Sequence, residues 1–126
     1  MSRDAAMLIE DILQAIDAIT LADSVMTSAG DDRITGVCID AITYRVFTIG
    51  EAVKALSPKL KLGHANVPWS NIAKMRDLIG HHYYRRDPQI ILATIREPLT
   101  QLRAACGEIA PVASDKTDTT RSPEPR

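Results

Sequence analysis

A chain of 126 residues suits a single domain, since one hydrophobic core usually organises about 100 to 200 residues. Apolar side chains make up 45% and charged ones 25%, which excludes a chain disordered along its whole length. The net charge of −1 hides an asymmetry: residues 1–51 carry nine acidic and three basic side chains, residues 52–110 carry four acidic and nine basic, and the last sixteen are balanced. A basic second half is what a polyanionic partner would meet, and a solvated helix face is the plain alternative.

No segment reaches the roughly 20 uninterrupted apolar residues of a membrane span. Met1-Ser2-Arg3-Asp4 leads straight into an amphipathic pattern instead of a signal peptide's apolar block, so a cytoplasmic location is expected. Over residues 4–28, Ala5, Leu8, Ile9, Ile12, Leu13, Ile16 and Ile19 follow the three-and-four spacing of one helical stripe. Gly30-Asp31-Asp32 forms a turn, and residues 34–56 resume the pattern through Val37, Cys38, Ala41, Ile42, Phe47, Ile49, Ala52, Val53 and Leu56. Apolar residues on more than one face predict that this second helix is central.

Ser57-Pro58 ends that helix, and residues 60–67 read as a loop with room for a short helical turn. Pro68 opens a third helix marked by Trp69, Ile72, Met75 and Ile79. Asp87-Pro88 supplies an N-cap and first residue for a fourth, with Ile91, Leu92, Ile95, Leu99, Leu102 and Cys106 on one stripe, an end near Gly107 and a kink at Pro98. Residues 111–126 are rich in Ser, Thr, Asp and Pro and predict a disordered tail. No period-two alternation is present, so the expected fold is all-α: an antiparallel up-and-down four-helix bundle over residues 1–110, with an extra short helix.

Cys38 and Cys106 lie far apart within helical apolar patterns and read as core fillers, with no spacing that fits a disulfide framework or a zinc site. The unusual cluster is residues 75–86, where His81, His82, Tyr83, Tyr84, Arg76, Arg85 and Arg86 surround Gly80. A glycine within a helix costs about 1 kcal/mol relative to alanine, so Gly80 points to a close approach by a ligand or partner helix. Asp77 and His81 are spaced i, i+4, which lets the carboxylate hold one imidazole nitrogen and leaves the other for proton transfer. Arg76 adds a permanent, planar cation suited to phosphate oxygens.

A histidine to move protons and an arginine to stabilise charge are the parts for cutting a phosphodiester without a metal or other cofactor. A satisfied helix-end network with solvated arginines would use the same residues. On a straight helix Arg76 and His81 point about 140° apart, and a homodimer pairing this helix across a two-fold axis would bring both groups from each chain to one groove. Glu51, in an apolar helix, reads as a buried structural acid paired with Arg45 or with an arginine of the third helix. Trp69 reads as a core anchor. Lys59, Lys61, Lys74, Arg85 and Arg86 are candidates for steering a polyanion towards that groove.

Arg76, His81 and Tyr83 form an R-x4-H-x-Y pattern that resembles the HepT-like toxins, a branch of the HEPN superfamily of ribonucleases. Ile49-Gly50-Glu51-Ala52, Leu56-Ser57-Pro58, and Val67-Pro68-Trp69 ahead of Met75-Arg76 extend the resemblance over roughly residues 4–106. The resemblance implies a homodimeric, metal-independent ribonuclease with Arg76 and His81 as catalytic pair, acting on tRNA or mRNA. It also implies a type VII-like toxin–antitoxin pair, in which a minimal nucleotidyltransferase antitoxin transfers AMP to Tyr83, with Tyr84 as a competing acceptor. His82 occupies the variable position.

In that family the residue after the motif arginine is often Asn, whereas here it is Asp77. An ionised carboxylate repels a phosphate, so Asp77 is expected to orient a neighbouring side chain instead of touching RNA. The second reading is a non-catalytic subunit that binds a nucleotide or docks a nucleotidyltransferase.

Overall fold

The computed structural model describes the backbone of residues 4–80 and 88–121 and the side chains of residues 4–77 and 89–110. Helix α1 (Ala5–Ala29) begins where the Asp4 carboxylate accepts a hydrogen bond from the Ala6 amide, satisfying one of the orphan donors of the first turn. It stops at Gly30, whose φ of 63° needs the freedom of a residue without a β-carbon. Only Gly30 and Asp31 separate it from α2 (Asp32–Ala55), so the two helices run antiparallel. The Asp31 carboxylate caps α2 by accepting from the Arg33 amide at 2.8 Å.

Ser57 caps the short α3 (Pro58–Leu62) through the Leu60 amide, with Pro58 in the first turn where its missing N–H leaves nothing unsatisfied. The loop after it is tied down by the indole of Trp69, which donates to the carbonyls of Lys61 and His64, both at 3.0 Å. Trp69 also packs on the core, in keeping with the anchor expected of it. Helix α4 (Trp69–Gly80) buries Ile72 and Met75. Helix α5 (Pro88–Arg121) is unbroken through Pro98 and continues well beyond the end expected near Gly107. Residues 122–126 of the expected disordered tail lie outside the described residues.

The long helices pack in a ring: α1 on α2, α2 on α4, α4 on α5, and α5 back on α1. Asp23 pairs with Arg96 at 3.0 Å and Asp17 with Arg103 at 3.2 Å, so residue numbers rise along α1 as they fall along α5. Those two helices are therefore antiparallel, and the architecture is the expected all-α, up-and-down four-helix bundle with one short extra helix. The centre is filled by Ile9, Ile12, Ile42, Ile49, Ile72, Leu92, Ile95 and Leu102, each nearly or fully buried and worth about 1.5–3 kcal/mol in burial. Among the described residues no polar or charged side chain is buried, and no helix is long and apolar enough to cross a membrane.

The central position expected for α2 holds on one face only. Cys38, Ile39, Ile42, Val46, Ile49 and Val53 are buried, whereas Ile34, Val37, Tyr44 and Phe47 are exposed, Val37 to 69%. Among the described residues, this second apolar face of α2 is left largely exposed.

Candidate active site

The two helices that meet at the expected site are α2 and α4, and a missing side chain lets them meet. Gly50 is buried on α2, and a β-carbon built there would lie 3.3 Å from Cδ and 3.4 Å from Cβ of Arg76, and 3.6 Å from the Ala73 carbonyl oxygen. The aliphatic stem of Arg76 thus lies across the backbone of α2. Its guanidinium group forms an ion pair with Glu51, one residue further along α2, and sits over the Phe47 ring at 5.5 Å from the centroid. Nε of Arg76 is also 3.6 Å from Oδ1 of Asp77.

These four side chains form a half-open cluster. The Arg76 side chain is 23% exposed, Glu51 52% and Asp77 73%. Glu51 is therefore not the buried acid that its apolar helix suggested, because its position on α2 faces the rim of the α2–α4 seam and not the core. Of the two partners open to it in the sequence, the arginine on the third long helix is the one it meets. Arg45 lies instead over the ring of Tyr44, 5.7 Å from its centroid.

Asp77 is exposed beside Arg76. Lys74 is exposed one turn before it. Lys61 departs from the expectation of an RNA-steering cation: its ammonium donates to the Val53 carbonyl at 3.0 Å and is engaged in holding α3 to α2. Cys38 and Cys106 are buried free thiols, and burial pushes the Cys106 thiol up to about 11, against the opposing pull of Arg103, so it stays protonated and inert. His81, His82, Tyr83, Tyr84, Arg85 and Arg86 lie outside the described residues, as does the side chain of Gly80's neighbour Ile79.

Helical patterning places Phe47 on the core stripe, whereas the ring is half-exposed beside Arg76. The signal that could have found it was the run Phe47, Gly50, Glu51: an aromatic, a gap and a carboxylate on one helical face, complementary to an arginine in shape and charge. Gly50 permits a close approach here, by the stem of Arg76, while the surroundings of Gly80 lie outside the described residues.

Residues 7–109 match the ribonuclease HepT-like family. The chain is 34% identical over 88 residues to a protein of Caldanaerobacter subterraneus subsp. tengcongensis named "Putative RNase TTE0752", covering 62% of this chain and 79% of that protein. It is 26% identical over 113 residues to the "Probable ribonuclease HepT" of Thermococcus cleftensis, covering 82% of this chain and 93% of the relative. A protein of Methanocaldococcus jannaschii named "Gamma-glutamylcyclotransferase and putative RNase MJ0434" is 26% identical over 104 residues, 82% of this chain and 46% of the relative. No solved structure matches the chain. The matched span takes in the whole of α2 and α4, with the seam that carries Arg76, and most of α1 and α5, and the chain belongs to the HepT-like ribonuclease family.

Proposed function

We propose that this protein is a metal-independent endoribonuclease toxin of a toxin–antitoxin pair, acting in the cytoplasm as a homodimer. The observation that carries the reading is the seating of Arg76, whose guanidinium is held at an open seam between two helices of a HepT-like bundle. A cation fixed where solvent can still reach it is suited to receive a phosphate as charge develops on it.

In the proposed reaction His81 removes the proton from a ribose 2′-hydroxyl, and the resulting O2′ attacks the adjacent phosphorus. The bond from phosphorus to O5′ breaks, O5′ takes up a proton, and the products are a 2′,3′-cyclic phosphate and a 5′-hydroxyl end. Arg76 stabilises the negative charge on the phosphoryl oxygens as the bonds exchange. Lys74, Arg85 and Arg86 draw the polyanion to the site. The substrate is tRNA or mRNA, and a minimal nucleotidyltransferase antitoxin silences the toxin by transferring AMP to the hydroxyl of Tyr83.

Support for the homodimer comes from α2. Ile34, Val37, Tyr44 and Phe47 fall within about 140° of helix arc and leave an apolar stripe exposed. Glu51 lies on the same stripe, so a second copy seated there would approach the Arg76 cluster directly.

The test is growth of cells on induction of the wild type, Arg76→Ala and His81→Ala, each with and without the neighbouring open reading frame, followed by mass measurement of the Tyr83 peptide. Arrest that requires both residues, relief by the neighbour and a gain of AMP on Tyr83 are expected. Cleavage of RNA by the purified protein should persist in excess chelator. A soluble, unmodified wild type that causes no arrest would point instead to a non-catalytic binding subunit of a nucleotidyltransferase complex.

A further inference from the structure

The surroundings of Arg76 come mainly from α2: Gly50 lies under its stem, the centroid of the Phe47 ring is 5.5 Å from its guanidinium carbon, and Glu51 pairs with it at the end. We infer that Glu51 is a positioning residue for the ribonuclease reaction, drawing the Arg76 guanidinium across the α2–α4 seam and holding it beside Phe47 in the orientation that meets the scissile phosphate. The inference rests on the ribonuclease reading above.

An unheld arginine has a long stem with many rotamers, and its freezing would have to be met as charge develops on the phosphate. The Phe47 ring limits where the guanidinium group can lie, and the paired carboxylate fixes which way it points. Such a donor needs no reorganisation when the reaction occurs.

Stability does not account for the pair. Glu51 is 52% exposed, and ion pairs at that degree of exposure contribute little to folding. Nor is the cluster sealed within one chain, where Phe47 is 50% exposed and Glu51 52%. The carboxylate also reduces the net positive charge of the site, which suits a role in orientation better than one in attracting RNA.

The full chain is to be assayed on total RNA from the expression host, with new 5′-hydroxyl ends counted by kinase labelling. Glu51→Ala should lower kcat on the order of 10- to 100-fold with little change in KM, because the loss is one of orientation during bond exchange. Glu51→Gln, whose amide oxygen still accepts from the guanidinium group, should restore most of the rate. The double variant Glu51→Ala with Arg76→Ala should be no slower than Arg76→Ala alone, since Glu51 acts through Arg76.

Wild-type cleavage by Glu51→Ala beside an inactive Arg76→Ala overturns the inference while leaving the ribonuclease reading in place. So does a double variant slower than Arg76→Ala alone. A Glu51→Gln protein as slow as Glu51→Ala that has also lost the acidic limb of its pH–rate profile would make Glu51 a general base instead. Absence of cleavage by the wild type overturns the ribonuclease reading and this inference with it, whereas full cleavage by Arg76→Ala overturns the inference and the role given to Arg76.

Discussion

Gly50 on α2 lies beneath the side chain of Arg76 on α4, so closely that a β-carbon at position 50 would meet Arg76 Cδ at 3.3 Å. The contact is with a flexible stem, which can yield by a few tenths of an ångström. Gly50→Ala should therefore leave the fold intact, with a helix-propensity gain of up to about 1 kcal/mol set against the strain. The guanidinium group, however, moves with the stem. Cleavage should fall by roughly tenfold while the melting temperature changes little, the cost of a sub-ångström shift in a reacting group. Equal loss of stability and activity would show that Gly50 serves only helix packing.

The uncovered face of α2 predicts self-association. Val37 is 69% exposed in a single chain, so Val37→Glu puts its charge into water and should not disturb the monomer's fold. In a dimer seated on this face the same charge would be buried without a partner. Light scattering should show a wild-type dimer and a Val37→Glu monomer with lost ribonuclease activity. A Val37→Glu dimer with normal activity would place the interface elsewhere.

Asp77 stands 3.6 Å from Nε of Arg76 and is largely exposed. Its negative charge opposes an incoming phosphate, and Asn at this position keeps the size without the charge. Asp77→Asn should retain or raise the cleavage rate, most clearly at low salt where the repulsion is least screened. A large loss in a stably folded variant would mean that the carboxylate itself takes part in the reaction.

Hydrogen bonds from the Arg33 amide and side chain hold the Asp31 carboxyl below its usual value of 3.8. A carboxylate whose folded pKa is depressed adds stability above its unfolded pKa and loses it as the pH falls through the folded value. The N-terminal cap of α2 should thus weaken below about pH 4. Asp31→Ala should lower the melting temperature at neutral pH and flatten its fall in acid, as read by circular dichroism. An unchanged acid profile would show that other carboxylates dominate.

Much of the fold was legible in the amino-acid sequence, because each long helix carries its own start signal and its own apolar stripe. Asp4, Asp31 and Pro68 lie at the helix starts where capping chemistry puts them, and Leu8, Ile12, Ile42, Leu92 and Leu102 are buried as the helical period requires. Periodicity reports only that a face is apolar. It cannot say whether the same chain covers that face, which is why Phe47 was read as core and stands half-exposed beside Arg76.

The sequence by itself also determined the residue types of the proposed site and their spacing along one helix, since local chemistry and a fixed helical pitch suffice for that. Only the tertiary structure decided that Glu51 meets Arg76 and not Arg45, that Lys61 binds a backbone carbonyl, and that Gly50 supports the arginine stem. Each of these depends on how α2 packs against the segments that follow it. That packing is set by the summed burial of side chains far apart in sequence, and no single stretch of the chain encodes it.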